Sequence, residues 1–128
     1  MKFKVLDYIV LIVEDVDKAQ HFYTETLGLP LKHRRGDYAQ FGLGGTRLGL
    51  FSRAGMASVI GDSLGVAAPG AKFELGFMVE NCDAAFAELV ASGVPAITAP
   101  QTRPWGQRTA YVADPDGNLI ELVENLAL

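Results

Sequence analysis

The chain repeats itself, and the repeat limits what it can fold into. Val13-Glu14-Asp15-Val16-Asp17 is answered 66 residues on by Val79-Glu80-Asn81-Cys82-Asp83, and Gly45 is answered 72 residues on by Gly117. In each copy an alternating apolar strand runs into a capping residue and then an amphipathic helix. The first strand spans Phe3 to Val13. After Asp15, the residues Val16, Ala19, Phe22, Tyr23 and Leu27 recur at helical spacing, predicting a helix over 15–27 that stops at Gly28. After Asn81, the residues Cys82, Ala85, Phe86, Leu89 and Val90 do the same, with Gly93 as the stop. Strands are expected at 30–35, 37–43 and 46–52, with Gly44-Gly45 turning between the last two. The second copy supplies a strand over 72–80, a short strand at about 95–99, a proline-rich loop over Pro100–Pro104 and a hairpin over Thr109–Glu124. The expected fold is α+β: two tandem βαβββ modules whose curved mixed sheets surround a concave groove, with helices outside. The first module covers 1–52 and the second 72–128. The glycine-rich stretch 53–71 reads as a linker or a flap over a site, with a short helical turn near Met56–Ile60.

Composition bounds the function. At 128 residues, with 49% hydrophobic and 20% charged residues, the chain is an ordinary globular one. The net charge of −4 argues against nucleic acid as partner, because phosphates ask for a basic face. No apolar run is long enough for a membrane helix, and Met1 to Val5 lacks a signal-peptide layout. A single cysteine, Cys82, excludes an internal disulfide. These features set the expectation of a cytoplasmic protein.

The last hairpin holds the most informative position. Asp114-Pro115-Asp116-Gly117 is a tight turn: Pro115 fixes its own φ and Gly117 takes the positive φ that returns the chain. In the strand that follows, Leu119, Glu121 and Val123 share one face, while Ile120, Leu122 and Glu124 share the other. Glu121 therefore points into a sheltered surface, where a carboxylate needs a partner, a proton, a metal or a ligand. The repeat makes Tyr8 equivalent to Glu74, and Gly49 equivalent to Glu121. These four are expected to line the groove beside Val10, Arg47, Phe51, Gly76, Met78, Leu119 and Val123. Glu74 and Glu121 would repel one another, so one holds a proton or the pair accepts hydrogen bonds from a basic ligand.

At these residues the chain resembles the vicinal oxygen chelate superfamily, which includes glyoxalase I, extradiol dioxygenases and bleomycin-type resistance proteins. The matching stretches are Val13 to Gly28, the doubled unit, and Asp114-Pro-Asp-Gly-Asn-Leu-Ile-Glu121. The resemblance covers nearly the whole chain. It implies paired βαβββ modules assembled as a homodimer. In metal-dependent members, a His and a Glu from each module hold a divalent ion. Here the matching positions are Tyr8, Gly49, Glu74 and Glu121, and only Glu121 keeps the family's residue type. Zinc or nickel would depend on imidazole, whereas two carboxylates alone suit a weakly held hard ion. The resistance-protein branch implies a groove that binds a drug without chemistry. Trp105, within Arg103-Pro-Trp-Gly-Gln-Arg108, resembles the segment that brings an aromatic ring to that groove.

Two functions follow. The first is binding of a small molecule, of the antibiotic-sequestering kind, by Tyr8, Arg47, Gly49, Phe51, Glu74, Met78, Trp105 and Glu121, with no resident cofactor. The second is a glyoxalase-like lyase or isomerase, or a dioxygenase, in which Glu74 and Glu121 hold a weak divalent metal or act as base and acid. His21 is expected to be exposed, His33 to sit on a solvated strand end, and Cys82 to be an inert core thiol. Arg47 or Arg108 could neutralise a groove carboxylate.

Overall fold

The computed structural model describes residues 2, 4, 8–42, 44–60 and 74–127. The chain divides into two compact units, Met1–Pro69 and Gly70–Leu128. Each carries one four-stranded mixed sheet, so the fold is α+β with two tandem modules. The expected strand residues 3, 5–7, 43, 72 and 73, and the rest of the linker or flap from 61, lie outside the described residues.

In the first unit, strands β1 (Tyr8–Val13), β2 (Leu31–Arg35), β3 (Tyr38–Gly42) and β4 (Arg47–Ser52) form a sheet in the order β1-β4-β3-β2. Helix α1 (Val16–His21) begins at Asp15, whose side chain accepts the Lys18 backbone N–H at 3.1 Å. The helix expected to run evenly through 27 changes pitch instead. A π-helical turn takes over at Phe22–Thr26, and the Leu27 N–H reaches back to the Phe22 carbonyl. The wider turn lets two adjacent rings, Phe22 and Tyr23, both be buried, edge to face at 5.1 Å. With Val16 and Ala19 they join Leu11, Val13, Ala39, Phe41 and Leu50 in the core.

The chain does not enter a loop after β4. Helix α2 (Arg53–Ile60) starts at once, a longer helix than the turn expected near Met56. Ser52 explains its start. Its buried hydroxyl accepts the Gly55 N–H at 2.8 Å and donates to Asp37 at 2.9 Å.

In the second unit, β5 (Glu74–Met78), β6 (Ala96–Arg103), β7 (Gln107–Ala113) and β8 (Leu119–Asn125) form a sheet in the order β5-β8-β7-β6. Helix α3 (Cys82–Ala91) is capped by Asn81, which accepts from the Ala84 N–H at 2.9 Å. It packs against β6, β7 and β8 over Ala110, Val112, Ile120 and Leu122, all buried. Burying side chains of this size contributes about 1.5–3 kcal/mol each for the larger ones. The loop expected over Pro100–Pro104 is instead mostly strand. β6 runs through Pro100 to Arg103, because it is an edge strand and its register shifts between Thr98 and Gln101. At such a bulge the missing proline N–H costs no ladder bond.

Candidate functional site

Strand alternation sorts the second unit's residues between two faces. The α3 side takes Leu75, Ile120, Leu122, Glu124, Ala110 and Val112. The opposite face takes Glu74, Gly76, Met78, Leu119, Glu121 and Val123. Register settles their neighbours: Glu74 pairs with Leu119, Gly76 with Glu121, and Met78 with Val123 across β5 and β8. Across β7 and β8, Tyr111 stands directly opposite Glu121.

Three polar groups meet there. The Tyr111 hydroxyl donates to Glu121 Oε2 at 2.9 Å. Burial, then the bond to Glu121, then the charges of Glu121 and Glu74 push the Tyr111 phenol up to about 12. It is therefore a neutral donor across the physiological range, held beside two carboxylates. On the other side of Glu121 lies Gly76. A Cβ at that position would come within 3.2 Å of Glu121 Oε1, so the absent side chain gives the carboxylate its room.

The first unit is built on the same register with different chemistry. Tyr8, Val10 and Ile12 share the face opposite α1 with Arg47, Gly49 and Phe51, and Gly55 of α2 lies against the Phe51 ring there. β3 adds Gln40 opposite Gly49, and Tyr38 opposite Phe51. The Tyr38 ring leans over Gly49, where a Cβ would meet the Tyr38 hydroxyl at 2.7 Å. That hydroxyl donates to Gln40 at 2.8 Å, and the ring lies edge-on to Phe51 at 6.2 Å. Burial first and Tyr8 next raise the Tyr38 phenol, while Arg47 opposes them. The Arg47 guanidinium sits 5.4 Å from the centre of the Tyr8 ring.

The remaining residues of interest lie elsewhere. Trp105 is 67% exposed at the β6–β7 turn, and its indole N–H donates to Gln107 at 3.0 Å. It lies in the turn before β7, and the four strand steps from Gln107 to Tyr111 span about 13 Å at 3.3 Å per residue. Met78, at 63% exposed, is open to solvent on the Glu74 face. Arg108 points to the helix side, where it holds Asp83 through two bonds of 2.6 and 2.8 Å. It does not reach Glu121. Its guanidinium keeps the Asp83 carboxyl below the usual range. Cys82 is fully buried, donates to the Leu122 carbonyl, and has its thiol raised by burial. His21 and His33 are both exposed.

Tyr111 and Tyr38 were not singled out by sequence. The signal for Tyr111 was present. A turn that pairs Ala113 with Leu119 places Tyr111 opposite Glu121, two residues back along each strand.

Two mixed-sheet βαβββ units, with the second unit's acids on the helix-free face, define the class: this is a vicinal oxygen chelate fold. The chain belongs to the glyoxalase-like domain family, whose profile matches residues 6–127. An uncharacterized protein of Bacillus subtilis (strain 168), YraH, is 39% identical over 122 residues, spanning 91% of this chain and 94% of that one. A bleomycin resistance protein of Klebsiella pneumoniae is 35% identical over 52 residues, 41% of each chain. The crystal structure of a glyoxalase/bleomycin resistance protein/dioxygenase family enzyme from Burkholderia phytofirmans PsJN superposes with a TM-score of 0.84. It is 21% identical, over 94% of this chain and 98% of that one.

The metal that the superfamily implies does not fit the side chains present. At the four positions that the resemblance implies, the chain offers a phenol, a glycine roofed by Tyr38, and two carboxylates, with no imidazole. One lobe of Glu121 is already committed to Tyr111. Among the described residues, no three His, Cys, Asp or Glu side chains gather to hold an ion.

Proposed function

We propose that the chain binds a small basic organic molecule, and that Glu74 and Glu121 accept its hydrogen bonds. The observation that supports this most is the Tyr111–Glu121 bond beside Glu74. A neutral phenol satisfies one lobe of the pair without cancelling its charge, so the site keeps its preference for a cation that can donate N–H bonds. Met78 and Leu119 offer apolar contact on the same face, and Trp105, at the β6–β7 turn, belongs to the proposal for a ligand long enough to extend beyond that site. Tyr8, Arg47, Gly49 and Phe51 belong to the proposal as the face of the first unit opposite α1, where the Tyr38 ring lies over Gly49. The antibiotic-sequestering role is part of this reading, supported by the resemblance and by the match to a bleomycin resistance protein. A homodimer is proposed on the resemblance alone, and sedimentation velocity tests it.

The test is calorimetric titration with bleomycin and with benzamidine, a planar aromatic cation. Binding by the wild type, weakened tenfold or more in Glu121→Gln, supports the reading; tenfold corresponds to about 1.4 kcal/mol. Divalent metal bound near one equivalent and lost in Glu121→Gln would defeat it in favour of the lyase or dioxygenase alternative.

A further inference from the structure

We infer that Tyr111 is the positioning residue of the second unit's site: its hydroxyl fixes Glu121 Oε2, and so decides that Oε1 is the oxygen offered above Gly76. The inference deepens the functional reading just given and rests on it for its consequence in binding.

Three observations carry it. The first is register. Tyr111 and Glu121 are directly opposed cross-strand partners, so the backbone holds the two side chains together on one face. The second is the bond itself, 2.9 Å from the Tyr111 hydroxyl to Glu121 Oε2. A phenol has one O–H to give, so Oε1 receives nothing from it. The third is Gly76, the partner of Glu121 on the other side. A methyl there would lie 3.2 Å from Oε1, so the glycine leaves that oxygen its space. Among the described residues, no side chain donates to Oε1. A carboxylate held at Oε2 by the tyrosine and bordered at Oε1 by the glycine presents Oε1 as the oxygen to which no described side chain donates. That geometry favours an N–H donor group approaching over Gly76.

The phenol reports the arrangement without any ligand. Glu121 and Glu74 are the ionisable groups facing it, and with burial they put its titration near 12. Ultraviolet titration of tyrosinate in wild type should show late components from Tyr111 and Tyr38, with Tyr111 near 12. Tyr111→Phe should remove the latest component, and Glu121→Gln should lower it part of the way, because burial and Glu74 still hold the phenol above its ordinary value. A Tyr111 component whose position Glu121→Gln does not shift would overturn the inference, whatever the ligand experiments show.

The binding arm uses benzamidine. Tyr111→Phe should weaken it about tenfold with the melting temperature nearly unchanged. Gly76→Ala should weaken it as well while holding or raising the melting temperature, because alanine is the better strand residue. A merely structural role for Tyr111 would instead tie loss of binding to loss of stability. Unchanged affinity in both variants would overturn the inference while the functional reading stands. If wild type fails to bind benzamidine, the functional reading falls, and the phenol titration alone decides this one.

Discussion

The ring of Tyr38 occupies the space that a side chain at Gly49 would need. The hydroxyl would lie 2.7 Å from a Cβ there, and two ring carbons would lie at 3.0 and 3.1 Å. The position that matches an acid in the second copy is thus closed in the first by an aromatic roof. Gly49→Ala should cost about 1–2 kcal/mol through overpacking. The same substitution beside Tyr38→Ala should cost much less. Urea unfolding of the four proteins in this cycle measures the coupling, and additive effects would contradict the packing account.

Asp114 is the anchor of the final hairpin. It is only 3% exposed, and its carboxylate accepts the Asp116 and Asn118 N–H groups and the Asn118 side-chain amide at 2.8–2.9 Å. Asp114→Ala should cost on the order of 3 kcal/mol, because buried donors lose their acceptor. Asp114→Asn should cost less, since its amide oxygen retains an acceptor for the backbone. Chemical denaturation with an unchanged m-value checks both.

The Tyr111 phenol gives a pH prediction with a definite sign. Its pKa in the folded chain, about 12, lies above the ordinary value of 10.0. The folded state therefore holds this proton more tightly than the unfolded state does. The stabilisation is complete below pH 10 and is lost as pH rises through 12. Tyr111→Phe should flatten the fall in melting temperature across that window. The Asp83–Arg108 pair works at the other end. Asp83 is held below its ordinary 3.8, so its contribution is present above that pH and fades as pH falls. At an exposed pair the effect should be small.

Much of this was legible in the residues because it depends on short-range rules. The caps at Asp15 and Asn81, and the positive φ of Gly28, Gly93 and Gly117, follow from local chemistry. Alternation on β5 and β8 put Glu74 and Glu121 on the helix-free face. What escaped depended on register and tertiary packing. Pro100 looks like a loop residue until the strand is known to be an edge with a bulge. The π-helical turn arises because two neighbouring rings both need the core. Tyr38 becomes relevant only once β3 is laid against β4, and Arg108 is captured by Asp83 across a helix–sheet contact that periodicity does not reveal.

Calorimetric titration of benzamidine into wild type and Glu121→Gln, with neutral benzamide as control, tests the central claim most directly. The account predicts binding by the wild type, at least tenfold weaker binding by Glu121→Gln, and no heat from benzamide. Equal affinity for benzamidine in the two proteins, or benzamide bound as well as benzamidine, would contradict it.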